Sequence, residues 1–280
     1  MPIDAELIWG LPGDNLPDFE RNLDTLLASF PNINIFGYTL LTGTEFYYRR
    51  EEYQIEAIPV AGYGKAKGEY VVGCHSFDRN QGEEGYFLIS AHILLVHGHI
   101  MPLTTRLLAL RGEVSVSPLF RDILRALLVK FNQALDGLDT TDRMAIYEGR
   151  DRIYLQVLGS RELLYQAIAV TIERHHLAQG ADPRPALRVL QLDRALSPRS
   201  GDEHRLSRNF EFDAWEAYEA LSAMELPTDL TVQTQPQTLE INHPGGLGEI
   251  LQVADGGSWL RGIVQEPAAG TPDAEYVAIA

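Results

Sequence analysis

Apolar positions first cluster in short runs and only later recur at helical spacing. The run Glu6-Leu-Ile-Trp-Gly10 ends in Gly10-Leu-Pro-Gly13, which reads as a short strand closed by a tight turn. Phe19, Leu23, Leu26, Leu27 and Phe30 then share one face of a helix, with Asp14 or Asn15 placed to cap it and Pro17 in its first turn. Pro31-Asn32 breaks that period. Residues 33–41 form a second strand, closed by Thr42-Gly43-Thr44 and followed by a short helix through Arg50. Strand, crossover helix and strand within about forty residues make a βαβ unit, which predicts parallel pairing.

The pattern then changes. Residues 54–68 read as a loop and 69–72 as a short strand. Helical spacing dominates 82–110 (with a break at Pro102), 117–135, 141–157, 161–178 and 212–224. The Pro- and Arg-rich stretch 183–208 reads as a surface loop. Short strands at 230–232, 238–242, 249–254 and 259–264 make a small terminal β element. The expected organisation is 1–52, 53–226 and 227–280, in an α/β class with no internal repeat. Leu7, Ile8, Ile33, Ile35 and Leu40 suit strands buried on both faces, yet no further strand–helix series follows to flank them. Such an edge seeks a partner: an N-terminal half, another subunit or a second copy.

Composition narrows the function classes. With 45% hydrophobic and 22% charged residues, the 280-residue chain is globular rather than disordered or fibrous. Its formal charge of −16 repels phosphate backbones, so nucleic acid is an unlikely partner class. Cys74 is the single cysteine, which excludes an intramolecular disulfide, a zinc ribbon or a three-thiolate iron–sulfur site within the chain. No basic segment followed by an apolar run opens the sequence. The longest apolar stretch, 86–101, is shorter than the ~20 residues a bilayer needs. The expectation is a cytoplasmic protein with no membrane span.

The stretch Glu6-Leu-Ile-Trp-Gly-Leu-Pro-Gly-Asp-Asn, followed by Leu40-Leu-Thr-Gly-Thr-Glu-Phe46, resembles the late part of a radical SAM barrel. Its helical tail is most similar to that of the cobalamin-dependent members. The resemblance implies the last strand–helix units of a partial (β/α) barrel, a mainly helical domain and a small terminal β element. It also implies an adenine slot for S-adenosylmethionine, lined by Ile8 or Trp9 with Gly10, Leu11 and Gly13 near, and by the backbone of Tyr38, Thr39 and Leu40. The family's Cys-x3-Cys-x2-Cys motif has no counterpart here, so its [4Fe–4S] cluster cannot form on this chain. The resemblance therefore implies the C-terminal portion of such an enzyme, inactive alone; cobalamin belongs to the full-length members. The alternative is a non-catalytic interaction or substrate-binding subunit.

Other candidates carry less chemistry. Cys74-His75 follow a strand and point to opposite faces. His92 and His99 lie two helical turns apart, with His97 pointing elsewhere, so a shared metal is not expected. His175 and His176 suit a helix end. Glu83, Glu84, Glu148, Asp151 and Glu173 suit solvated helix surfaces, and Tyr147, Tyr154 and Tyr165 suit a core. The 243–248 loop is Gly-rich but opens no helix, and no lysine follows the earlier glycines, so a P-loop is excluded.

Overall fold

Two parallel strands open the fold, joined by the expected crossover helix. The computed structural model describes residues 4–60, 68–198, 205–234, 236–242 and 264–265. Strand β1 (Asp4–Trp9) pairs in parallel with β2 (Asn32–Gly37), placing Leu7 beside Ile35 and Ile8 beside Phe36. Helix α1 (Leu16–Ser29) connects them. Asn15 caps it, accepting from the Asp18 N–H at 2.9 Å, and Phe19, Leu23 and Leu27 form its buried stripe.

Tyr38 hands this pair to a second sheet. Its N–H donates to the Trp9 carbonyl at 2.7 Å, and its carbonyl accepts from the Val71 N–H at 3.3 Å. Strands β3 (Thr39–Leu41), β4 (Glu56–Pro59) and β5 (Gly68–Gly73) form an antiparallel sheet in the order β3-β5-β4, with the short helix α2 (Glu45–Tyr48) between β3 and β4. The 54–68 stretch is thus not all loop. Glu56–Pro59 lacks an apolar run, and its pairing with β5 holds it extended.

Helices then predominate: α3 (Arg79–His92), α4 (Pro102–Arg111), α5 (Val116–Lys130), α6 (Arg143–Glu148), α7 (Arg150–Leu158), α8 (Arg161–Ala178), α9 (Arg184–Leu196) and α10 (Ala214–Ser222). Between α3 and α4 runs a π-helical turn, Ile93–His97. The 141–157 helix is two helices, because Gly149 serves as C-cap of α6 and N-cap of α7. The loop expected at 183–208 is corrected most. Pro185 sits in the first turn of α9, and Ala186, Val189, Leu190 and Leu196 are buried, while Arg184 and Arg188 line its solvent side. Strand β6 (Arg205–Phe210) pairs with β7 (Gln237–Asn242), which pairs with β8 (Val264–Gln265). Residues 230–232 are not a strand. The strand expected at 249–254 lies outside the described residues, as does that at 259–264 apart from Val264.

The described strands form three small sheets, and the chain is mixed α/β with helices in the majority. One buried cluster runs continuously from Trp9 to Ile241. Two helices with no cap of their own receive one from elsewhere. Asp24 of α1 accepts from the Val116 and Ser117 N–H groups of α5, and Asp193 of α9 accepts from Leu103 N (3.0 Å) and Thr104 N (2.7 Å) of α4. Burial raises both carboxyls above their ordinary value, Asp193 to about 7.

Helix α3 lies hard against the strands. A Cβ on Gly82 would sit 1.8 Å from the Val72 carbonyl oxygen, and one on Gly85 would sit 2.2 Å from Trp9 Nε1. Only glycine fits either position. Among the described residues, no single helix is long and apolar enough to cross a bilayer.

Candidate functional site

The turn at the C-terminal end of β1 is locked by its own residues. Gly10 and Gly13 both take positive φ (103° and 108°), which L side chains rarely adopt. Between them the chain doubles back, and the Asp14 carboxylate accepts from the Gly10 N–H (3.0 Å) and the Leu11 N–H (2.9 Å). Burial raises the Asp14 carboxyl despite those two bonds, which pull the other way. Gly13 N–H donates to Ser76 Oγ at 3.0 Å, and Ser76 Oγ lies 3.1 Å from Cys74 Sγ. The turn is thereby tied to the end of β5.

Aromatic rings line the neighbouring strand ends. Tyr38 meets Phe46 edge-on at 5.9 Å, Phe46 meets Tyr53 at 5.2 Å, and Tyr53 lies 5.8 Å from His75. Partial burial raises the Tyr38 phenol, so this ring is neutral near pH 7. Each contact ties α2 and its flanks to β3 and β5 rather than opening a cleft.

The structure separates the residues that the resemblance groups as an adenine slot. Trp9 is fully buried: it packs against Phe19 and Phe77 at 4.9 and 4.8 Å, and its Nε1 donates to the Gly82 carbonyl at 3.0 Å. Its ring faces α1 and α3. Leu40 is also fully buried, and Thr39 and Leu40 pair with Tyr70 and Glu69 of β5. The Tyr38 backbone groups are both taken within the fold, its carbonyl also accepting from Tyr86 Oη at 3.2 Å. Leu11 and Gly13 remain partly accessible in the turn.

Ile8 is the member left open. The face of β1–β2 opposite α1 and α3 carries two cross-strand pairs, Glu6 with Asn34 and Ile8 with Phe36. Ile8 is 43% exposed and Phe36 is 50% exposed, while Ile33 and Ile35 of the same strand are buried. Among the described residues β1 has β2 as its one strand partner, so its outer edge is unpaired. Phe36 escaped the sequence reading, which treated both strands as covered on two sides. The signal was present: period two puts Ile33 and Ile35 on one face and Phe36 on the other.

The remaining candidates resolve plainly. Cys74 is a free, partly buried thiol. Glu84 is gripped by Arg121, Arg125 and Arg143, and Arg121 also pairs with Glu20. Glu84 is therefore a structural ion-pair hub joining α1, α3, α5 and α6. Tyr147, Tyr154 and Tyr165 are buried, as expected. His176 Nδ1 contacts the Ile172 carbonyl oxygen at 2.8 Å, whereas His175 Nε2 lies 2.9 Å from Asp122 Oδ2. His97 does not point away from His92: their rings touch. The 243–248 loop lies outside the described residues.

No three His, Cys, Asp or Glu side chains among the described residues gather to hold a metal ion. An iron–sulfur cluster does not fit this chain, whose one thiol is already seated against Ser76. No family model matches the sequence, and no curated protein matches it.

Proposed function

We propose that the chain supplies the closing strands of a radical SAM type barrel. On this reading it completes a site whose cluster and remaining strands come from outside these 280 residues. The observation that supports it is the Ile8–Phe36 pair, half exposed on the uncovered face of a parallel βαβ unit whose first strand ends at the Gly10–Gly13 turn. An adenine needs a flat apolar surface and a few backbone polar groups at a strand end, and this is the one such surface the β1–β2 unit presents. Ile8 then lies beneath the base, with Leu11 and Gly13 at its rim. Trp9 and Leu40 support the strands from behind. Cobalamin has no residue of this chain assigned to it.

The chain alone holds few of the ligand's contacts, so calorimetry with S-adenosylmethionine should show nothing tighter than about 0.1 mM. DNA upstream of the Met1 codon, or an adjacent gene, should encode Cys-x3-Cys-x2-Cys and the missing strands. Adding that region should bring micromolar binding that Ile8→Asp abolishes. Absence of any such region, or micromolar binding by the chain alone, overturns the reading.

A second reading has its own support. The backbone of Tyr38 and the ring of Trp9 are already used inside the fold, which favours a non-catalytic subunit that docks a partner on the β1 edge without S-adenosylmethionine. Amide exchange separates the two. A partner that protects 4–9 equally with and without the ligand supports docking alone.

A further inference from the structure

Deep in the fold lies a polar group that the open face does not use. His92 ends α3 with no exposed surface, and neither of its ring nitrogens has a hydrogen-bond partner. Its ring meets His97 edge-on, with centroids 4.9 Å apart and planes at 79°. Phe120 of α5 closes another side at 6.2 Å. His97 Nε2 lies 2.7 Å from the Ile33 carbonyl oxygen of β2, so that nitrogen carries the proton and donates it. In an ordinary α-helix, residues five apart point about 140° away from each other. The π-helical turn brings His97 back onto His92. A buried, unbonded imidazole is costly, and its presence calls for a reason.

We infer that His92 and His97 form a proton-sensitive latch that holds the β1–β2 unit on the helical body, closed near pH 7.5 and released on acidification. The latch has a mechanical half and a chemical half. His97 is the clamp, tying the helical body to β2 through Ile33. His92 denies the clamp a second proton, because two imidazolium rings in edge contact inside an apolar pocket repel each other and have no counter-charge.

The surrounding groups do not offer one. Phe120 on α5 is apolar. Tyr154 of α7 and Tyr165 of α8 donate to the Gly98 and Ile100 carbonyls just beyond the turn, and both phenols are neutral, raised by burial. Arg161, which stacks over Tyr165, adds positive charge, as does Arg106 of α4, which donates to the Pro31 carbonyl two residues before Ile33. The described carboxylate in this region is Asp193, committed to the α4 N-terminus. Burial accordingly holds His92 well below the usual histidine range and lowers His97 as well. Once the unit lifts away, both rings meet water and bind protons near pH 6.5. Below that pH, each histidine freed by opening favours the open form by up to about tenfold per pH unit.

The inference does not depend on what covers the open face, and its test uses the chain alone. Amide exchange, corrected for intrinsic rates, is followed at pH 7.5 and 5.5. Protection of 32–37 should fall at least tenfold relative to α8 in the wild type. In the His92→Leu/His97→Gln double variant, glutamine still offers an N–H to the Ile33 carbonyl, and protection should change less than threefold. A wild-type β2 whose protection is flat with pH overturns the latch, as does a loss that persists in the double variant. Should that variant not fold, carbon-13 titration of the wild-type histidines decides. Coupled titration below pH 6, together with β2 exchange, supports the latch. Independent titration of His92 and His97 near 6.5 in the folded protein overturns it.

Discussion

The β1–β2 unit and the helical body follow different rules of burial. In α3 the consecutive residues Tyr86, Phe87, Leu88 and Ile89 are all buried, so that helix is covered on every side. In β2 consecutive residues alternate, with Ile33 and Ile35 inside and Phe36 half exposed. The first region is stable from all directions, whereas the second is attached through one face. That attachment is narrow and specific: Trp9 seated on Gly82 and Gly85, and the His97 clamp on Ile33. Stability and openness are thus divided between two halves of one continuous core. The half with fewer contacts presents the surface available for binding.

The junction is the place to break this contrast most sharply. Trp9→Ala empties a fully buried site and leaves the Gly82 carbonyl without its donor, so urea unfolding should show a loss of about 4 kcal/mol. Gly82→Val should be comparably severe, since its Cβ meets Val72 backbone, which cannot rotate aside. A loss under 1 kcal/mol for Trp9→Ala would mean that the unit is not held at this junction.

Acid gives the next largest effect, and its sign follows from the buried groups. His99 is lowered to about 4 by burial and by neighbouring His97, against about 6.5 in the unfolded chain. Its contribution is present above 6.5 and is lost as pH falls, amounting to about 3 kcal/mol by pH 4. His92 and His97 add in the same direction. Asp193 opposes them. Its folded value of about 7 lies above the unfolded 3.8, so its contribution is full below 3.8 and lost as pH rises through 7. The three histidines outweigh the one carboxyl, and urea midpoints should fall from pH 7 to pH 5. Asp193→Asn should steepen that fall. A midpoint that rises on acidification would show the carboxyl dominating.

Within the helical body, Glu84→Gln should cost about 2 kcal/mol, because three arginines lose the charge they share in a largely buried setting. The exposed Arg21–Asp18 pair is the control, and removing it should change stability by less than about 0.5 kcal/mol. Equal effects would mean that the hub contributes no more than a surface pair.

Legibility followed the same division. The βαβ unit, its parallel pairing, α1 and α8 were readable, because local period and turn chemistry decide them without help from distant residues. Strand β4 and helix α9 were not. Glu56–Pro59 is extended only through β5, and the arginines of α9 disguise an apolar face that is visible once Pro185 is taken as a helix start. The His92–His97 contact was hidden for a third reason: it needs a π-helical turn, and helical spacing at 3.6 residues places the rings apart. At the candidate site the sequence marked the correct strand but not its polarity. Ile8 or Trp9 was an even choice until α1 and α3 claimed the tryptophan.

The smallest expected effect is also the most discriminating, because it compares adjacent residues of one strand. Ile35→Ala removes a buried side chain from the α1–α3 side and should cost about 3 kcal/mol. Phe36→Ala removes a side chain that already leaves half its surface in water, and stability should change by less than about 0.5 kcal/mol. Local strand preference favours phenylalanine over alanine, so the small residual should be a loss rather than a gain. If Phe36→Ala costs as much as Ile35→Ala in a chain shown by sedimentation to be monomeric, something within the chain covers the face, and it is not a docking surface. If the cost is small in the monomer and grows when the proposed missing strands are added, the difference measures the contact made on that face. With ~25 cal/mol per Å² of apolar surface, covering one half-exposed phenylalanine is worth about 2 kcal/mol, well above the error of the measurement.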